Sequence, residues 1–264
     1  MLRARLATAA VAIPLLLALI YLAPSWGWGG VVGTLSMLAL LEYAGLAFAD
    51  RLGPRAITVI LGAVVVAAAL SSPAPGRHLS AALSLLIIGG LVYVVLARRD
   101  LDAGLADVGV MTIGVLYAAL LLPHFYWLHW LADGPHWVTF VIAVGMAGDT
   151  GGYFIGHAYG RRKLIPHVSP GKTVEGALGI VFCSLIAGVA AKLILLPAHS
   201  WVEMLSLAAV MGVIGQIGDL GESVMKRTFG AKESGWILPG HGGVLDRIDS
   251  LLFPVTLLYY YVAS

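Results

Sequence analysis

Hydrophobic residues fill most of the chain in long runs, and short polar stretches separate these runs. A helix that crosses a bilayer needs about 20 mostly apolar residues. Nine segments come close to this length, the third and fifth being the shortest: 6–23, 28–48, 56–71, 80–97, 106–123, 137–157, 174–196, 201–220 and 245–262. The pattern predicts an all-α polytopic integral membrane protein with about nine transmembrane helices.

The basic residues predict how these helices are oriented, because cytoplasmic loops carry an excess of Lys and Arg. With a cytoplasmic N-terminus, only Arg77 and Lys192 fall on the outer side. The other fourteen of the sixteen basic residues fall on the cytoplasmic side: Arg3, Arg5, Arg51, Arg55, Arg98, Arg99, Arg161, Arg162, Lys163, Lys172, Lys226, Arg227, Lys232 and Arg247. No convincing cleavage site follows the first span, so we expect it to be retained. We expect a plasma (bacterial-type inner) membrane protein.

Composition supports a membrane protein and excludes several other classes. Apolar residues make up 59% of the chain and charged residues 11%, whereas soluble proteins carry roughly 45–50% and about 25%. A net charge of +2 gives no reason to expect a nucleic acid partner. Cys183 is the only cysteine, so a disulfide within the chain is impossible, and we expect this side chain to pack in the interior.

Polar residues separate the chain into two regions. Residues 1–140 are almost entirely apolar helix, and we assign them to a transmembrane scaffold with lipid access. Residues 141–264 form the predicted catalytic region, with cytoplasmic loops at 158–174 and 221–244. In the sixth span, glycines at every fourth position from Gly148 to Gly160 would let another helix approach closely. Asp149 lies beside them, and an ionisable residue inside a span is costly, which points to function.

A second polar group, Ser169 to Gly176, precedes the seventh span. Its Gly-Lys-Thr triplet is found in P-loops, but position 166, where that motif needs glycine, is proline, and no strand is predicted before it. We therefore reject a P-loop. Lys172 and the first amides of the following helix would still favour an anion. The alternative is a helix-starting loop whose lysine only follows the positive-inside rule.

The third polar group joins the end of the eighth span to the start of the ninth. On each helix the polar residues share one face: Asp219, Glu222, Ser223 and Lys226 on the eighth, and Asp246, Asp249 and Ser250 on the ninth. Carboxylates at such spacing suit Mg²⁺, which takes one or two of them together with substrate phosphates. The glycines of 241–243 would let backbone amides approach an anion. The residues alone predict metal-dependent phosphate chemistry at the cytoplasmic surface.

The stretch from Ser223 to Asp249, with Lys226-Arg227, Lys232-Glu233 and 238–249, resembles the signature of phosphatidate cytidylyltransferases, also called CDP-diacylglycerol synthases. Segments 169–176 and 149–154 resemble two further elements of that family. The chain departs from the family pattern at Glu233, where the family usually has Asp, and at Gly152, where it usually has Ala.

The resemblance implies that the chain transfers the cytidylyl group of CTP to phosphatidic acid, giving CDP-diacylglycerol and pyrophosphate with Mg²⁺. No covalent enzyme intermediate is expected, so positioning and charge stabilisation would carry the catalysis. The metal ligands implied are Asp219 and Asp246, with Glu222 and Asp249 as further or indirect ligands. Catalytic roles fall to Lys172, Lys226, Arg227 and Asp149. Nucleotide and phosphate contacts fall to Ser169, Lys172, Thr173, Glu175, His241, Gly242 and Gly243.

Two other functions stay open. One is a different CTP-dependent membrane lipid nucleotidyl- or phosphotransferase. The other is a cation-coupled transporter with a relay of Asp149, Asp219 and Glu42, which is disfavoured because the charges cluster at one surface. Acyl preference, selectivity against dCTP, the number of metal ions and the lateral lipid entrance are not determined by the sequence. The oligomeric state is also open, and a homo-oligomer is compatible with it.

Overall fold

The computed structural model describes residues 2–97, 100–235 and 242–264, with side chains from residue 12 onward. Arg98, Arg99 and His241, which figure in the predictions above, lie outside these ranges. The helices are α1 (Leu2–Leu22), α2 (Ser25–Ala47), α3 (Leu52–Leu70), α4 (Arg77–Leu96), α5 (Leu101–Gly114), α6 (His124–His129), α7 (Gly134–Tyr159), α8 (Val174–Ile194), α9 (Trp201–Thr228) and α10 (Leu245–Ala263). A π-helical segment, Val115–Leu120, continues α5.

Seven helical stretches of the described chain are long and apolar enough to cross a membrane: α2, α3, α4, the stretch from α5 to α6, α7, α8 and α9. The prediction of a polytopic membrane protein is therefore confirmed. The first and last predicted spans are also helical, as α1 and α10, but they are not among the seven. Three charged residues near the start of α10, Asp246, Arg247 and Asp249, make it less apolar. The count of nine stays a prediction.

The described chain is helical, as predicted, apart from a short antiparallel hairpin between α7 and α8. Strand β1 (Lys163–Ile165) pairs with β2 (Ser169–Thr173). Pro166 and Pro170 disfavour a helix, because proline lacks the backbone donor and clashes with the preceding turn. The prediction that no strand precedes the Gly-Lys-Thr triplet was wrong, because β1 ends at Ile165. The triplet lies within β2, which runs directly into α8, so no phosphate-wrapping loop of the P-loop type separates strand and helix.

Helices α7 and α8 form the most extensive helix pair in the described chain. A Cβ atom placed on Gly151 of α7 would lie 2.3 Å from Cys183 Sγ and 2.7 Å from the Gly179 carbonyl oxygen of α8. On Gly152, it would lie 2.5 Å from Ile180. Any larger residue would therefore push the helices apart. The predicted close approach at this glycine stripe is confirmed, whereas Cys183 is only half-buried in the interface between the two helices.

Two indole groups hold one end of the helical assembly together. Trp28 Nε1 of α2 donates to the Phe125 carbonyl oxygen at 3.1 Å, and Trp127 Nε1 of α6 donates to the Ala69 carbonyl oxygen at 2.9 Å. These contacts place the start of α2 and the end of α3 beside α6, as antiparallel neighbours require. The clustered carboxylates and lysines of the second half lie at the opposite ends of their helices.

Candidate active site

A cavity of about 640 Å³ opens between α7, the hairpin, α8 and α9. Glycines from all of these elements except α9 form part of its wall, and their missing side chains leave the space open. Its polar lining is Asp149, Tyr153, His157, Lys163, Lys172, Thr173, Gln216 and Asp219. The cavity therefore unites residues from all three polar groups that the sequence singles out.

An ion pair spans the cavity wall between the hairpin and α9. Lys172 Nζ lies 2.5 Å from Asp219 Oδ2, and the two side chains are 22% and 31% exposed. Lys172 reaches this position because β2 carries it beside the start of α8. The lysine predicted to meet phosphate and the aspartate predicted to meet metal are thus direct neighbours.

Asp149 connects the cavity to α10. Its Oδ2 accepts a hydrogen bond from Ser250 Oγ at 2.9 Å, and it lies within electrostatic range of Lys172 and Asp219. Asp249 lies within electrostatic range of Asp149 and Asp219 as well. Asp149 therefore lies in the wall of the cavity, near charged residues of the hairpin, α9 and α10, and its catalytic role stays a prediction.

A second charged cluster lies further along α9, at the start of α10. Lys226 Nζ lies 2.5 Å from both Glu222 Oε2 and Asp246 Oδ1, and the three side chains are at most 12% exposed. Asp246 Oδ2 accepts further hydrogen bonds from the Ser234 and Gly243 backbone N–H groups, at 2.9 and 2.8 Å, and from the Ser234 hydroxyl at 2.9 Å. Lys226 is therefore held by two carboxylates, and both oxygens of Asp246 are occupied by protein groups.

These contacts decide how well the carboxylates suit Mg²⁺. In residues 2–97, 100–235 and 242–264, no three Asp, Glu, His or Cys side chains are grouped so as to hold a metal ion by themselves. Asp219, Glu222 and Asp249 nevertheless offer hard oxygen atoms, and Glu222 Oε1 is buried without a hydrogen bond in the described chain. This donor set fits an ion that is held by one or two carboxylates and completed by substrate phosphates. Asp246 fits such a role less well.

Two residues predicted to contact the nucleotide instead hold the hairpin in place. Thr173 Oγ1 accepts a hydrogen bond from the Gly176 N–H at 3.1 Å and so caps the start of α8. Glu175 Oε2 accepts the backbone N–H groups of Arg161 and Arg162 at 3.0 and 3.2 Å. Thr173 also lines the cavity, whereas Glu175 does not. Their nucleotide contacts stay predictions.

Other predicted site residues lie at the edge of the site. Arg227 is exposed and donates from Nη1 to the Ala231 carbonyl oxygen at 2.9 Å, which closes the end of α9. Ser169 begins β2 and does not line the cavity. Gly242 has φ of +75°, a conformation that favours glycine, and the Gly243 N–H already binds Asp246.

Glu42, from the scaffold half, is a further polar residue at the site. Its side chain is 6% exposed and contacts the Val244 and Leu245 backbone N–H groups and the Ser234 hydroxyl. From the sequence, Glu42 is predicted only as a member of a possible transporter relay. A lone acidic residue within an apolar span is the signal that could have identified it.

The sequence matches the model of the family described as "Cytidylyltransferase family" over residues 3–264. It is 36% identical to a protein named phosphatidate cytidylyltransferase from Bacillus subtilis (strain 168). The matched stretch of 174 residues covers 66% of this chain and 64% of the relative. The sequence is 38% identical over 169 residues to proteins of the same name from Staphylococcus haemolyticus (strain JCSC1435) and Staphylococcus aureus (strain COL), covering 64% of this chain and 63% of each relative. The matched stretch thus spans a little under two thirds of these relatives.

Proposed function

The chain belongs to the cytidylyltransferase family, and from this premise we propose that it transfers the cytidylyl group of CTP to phosphatidate. The products are CDP-diacylglycerol and pyrophosphate. The relatives' names support this assignment, and the residues of the cavity are compatible with it.

The proposal rests on one observation: a single cavity is lined by Lys172, Asp219 and Asp149. The helices around this cavity are apolar enough to cross a membrane. Tyr153, which lines the cavity, and Phe154, next to it on α7, are 68% and 64% exposed. Large exposed apolar groups on a membrane helix suit contact with acyl chains. A lipid phosphate could therefore enter the cavity while its chains stay in the bilayer.

In the proposed reaction, an oxygen of the phosphatidate monoester attacks the α-phosphorus of CTP. A new P–O bond forms there, the bond between the α-phosphorus and the bridging oxygen breaks, and pyrophosphate leaves with that electron pair. Lys172 moves from Asp219 to a phosphate oxygen and offsets its negative charge. Asp149 keeps its hydrogen bond with Ser250 and fixes the wall of the cavity opposite.

Mg²⁺ is the cofactor that we propose, with Asp219 and Asp249 as its protein ligands and Glu222 beside them. When bound, it would neutralise phosphate charge and polarise phosphoryl oxygens. Lys226 holds Glu222 and Asp246 at the base of the site. In this arrangement Asp246 holds Ser234 and Gly243 beside the start of α10, a role that we propose in place of the direct metal ligand implied by the resemblance.

We further propose that α1 and α10 also cross the bilayer, which gives nine spans with the N-terminus and the active site in the cytoplasm. The basic residues of the hairpin and of the end of α9 support this orientation. The bacterial sources of the relatives support placement in the inner membrane.

Cysteine labelling tests the orientation. In a Cys183→Ser background, cysteine replaces His167 at the hairpin tip or Ala132 between α6 and α7, both exposed positions. An impermeant maleimide should label Ala132→Cys in intact cells and His167→Cys only in inverted membranes. Labelling of both from the same side would contradict the proposed topology.

Activity is tested with purified chain, CTP, phosphatidate and Mg²⁺ in detergent micelles, with lipid products separated by thin-layer chromatography. Formation of a cytidine-containing lipid that needs both substrates supports the proposal. Its absence, in protein with a cooperative melting transition, contradicts it.

A further inference from the structure

Glu42 of α2 joins the scaffold half of the chain to the active-site connection. Its Oε1 accepts the Val244 N–H and its Oε2 accepts the Leu245 N–H, both at 2.9 Å. These N–H groups lie at the start of α10, and the first N–H groups of a helix have no carbonyl acceptor within that helix. The negative carboxylate also lies at the positive end of the helix. Glu42 thereby caps α10 from a different helix.

The same carboxylate also reaches the other side of the connection. Ser234 Oγ donates to Glu42 Oε2 at 3.2 Å, and it lies 2.9 Å from Asp246 Oδ2. Ser234 precedes residues 236–241, and Val244 follows them. One buried carboxylate therefore holds both flanks of the connection between α9 and α10.

The packing around Glu42 leaves little freedom for another arrangement. A Cβ atom on Gly235 would lie 2.7 Å from Glu42 Oε1, and one on Gly243 would lie 2.5 Å from Glu42 Oε2. Both glycines thus let the backbone approach the carboxylate closely. This geometry explains the glycines at these two positions without a contact to substrate.

We propose that Glu42 is a positioning residue for the reaction: by holding Ser234 and the start of α10, it sets where Asp246 and Asp249 lie. Asp246 in turn holds Lys226 beside Glu222. Within the described residues Glu42 is not part of the cavity lining, so we assign its effect to the start of α10. The scaffold half thus contributes a polar group on which the site depends. This inference rests on the proposed function, because its main readout is lipid cytidylylation.

Two substitutions of Glu42 distinguish a requirement for its negative charge and two acceptor oxygens from a requirement for the length of its side chain. Glu42→Gln keeps the shape, but its amide nitrogen would face a backbone N–H, placing two donors against each other. Glu42→Asp keeps both acceptors and the charge on a shorter side chain. We expect the aspartate variant to recover part of what the glutamine variant loses.

The test compares Glu42→Gln and Glu42→Asp with Glu203→Gln, a matched control near the start of α9. Glu203 also accepts a side-chain hydrogen bond, from Tyr261, but it lies at the other end of α9 from the site. Each variant is assayed for kcat and for KM toward CTP, per molecule of folded protein. Limited trypsin cleavage between residues 226 and 247, mapped by mass spectrometry, reports the connection without any substrate.

For Glu42→Gln we expect kcat/KM to fall about 10- to 100-fold, and cleavage in the connection to be several-fold faster. Glu42→Asp should lie between this variant and the wild type, and Glu203→Gln should match the wild type in both readouts. Wild-type kinetics with Glu42→Gln, or an activity loss that matches only the loss of folded protein, would overturn the proposal. If the wild type itself makes no cytidylylated lipid, the proposed function fails, and unchanged cleavage in Glu42→Gln would then overturn the positioning role separately.

Discussion

Replacing Lys172 by alanine separates a role in phosphate binding from a role in folding. At 2.5 Å and an effective dielectric constant of about 20, the attraction to Asp219 is roughly 7 kcal/mol before desolvation is counted. Both side chains keep some solvent contact, so screening and the loss of hydration cancel most of it. We expect Lys172→Ala to lower the free energy of unfolding by only about 1 kcal/mol.

The effect on catalysis should be larger than the effect on stability. A lost charge-assisted contact with phosphate costs roughly 1.5–3 kcal/mol, which is about one to two decades in rate or affinity. In addition, the uncompensated Asp219 would repel the triphosphate. We therefore expect kcat/KM for CTP to fall about 10- to 100-fold in Lys172→Ala. Lys172→Arg should recover only part, because a planar guanidinium replaces a compact ammonium group.

The assay is initial rate against CTP concentration, with the melting temperature in detergent as the folding control. Lys192→Ala is the matched control, because Lys192 donates to the Pro197 carbonyl oxygen at the far end of α8. It should keep wild-type kinetics. A value of kcat/KM for Lys172→Ala within twofold of the wild type would refute the reasoning and leave Lys172 as a structural ion-pair partner.

Two further predictions concern the carboxylates and the glycines. Asp219→Asn should fold but lose nearly all product formation at every Mg²⁺ concentration, whereas Glu233→Gln should stay near wild type, because Glu233 is exposed and does not line the cavity. Initial rates measured against Mg²⁺ concentration check both variants. Near-normal turnover in Asp219→Asn would disprove the metal assignment. Gly151→Ala should cost about 1–3 kcal/mol by overpacking, since its Cβ would meet Cys183 Sγ at 2.3 Å. At Gly109, a Cβ atom would meet no atom from elsewhere in the described chain within 4 Å, so Gly109→Ala should be neutral or stabilising. Equal melting temperatures for Gly151→Ala and Gly109→Ala would contradict the packing explanation.

The helices could be predicted from the sequence because hydrophobic length alone defines a membrane helix. The glycine stripe could be predicted to pack, but its partner, α8, could not. The hairpin was missed because β1 has only three residues and carries no clear alternation of polar and apolar positions. The resemblance to the cytidylyltransferase signature implied that Lys172, Thr173 and Asp149 share a site, because each lies in one of its elements, and all three line one cavity.

The pairing of charged side chains within the site depends on folding and could not be predicted from local sequence. Placing Asp219 and Asp246 on the same ion followed from their position at adjoining helix ends. In the structure each carboxylate instead has its own lysine, because α9 turns Lys226 toward Asp246 and the hairpin brings Lys172 to Asp219. Glu42 lies 203 positions from Leu245, and no local pattern connects residues so far apart.

The phosphorus atom of CTP that reaches the lipid distinguishes cytidylyl transfer from phosphoryl transfer most directly. Purified wild-type chain is incubated with phosphatidate, Mg²⁺ and CTP labelled with ³²P at either the α- or the γ-position, and the lipid fraction is counted. Nucleotidyl transfer predicts that the α-label enters the lipid while the γ-label is released as pyrophosphate. Entry of the γ-label into the lipid would contradict the account and identify a CTP-dependent lipid kinase instead.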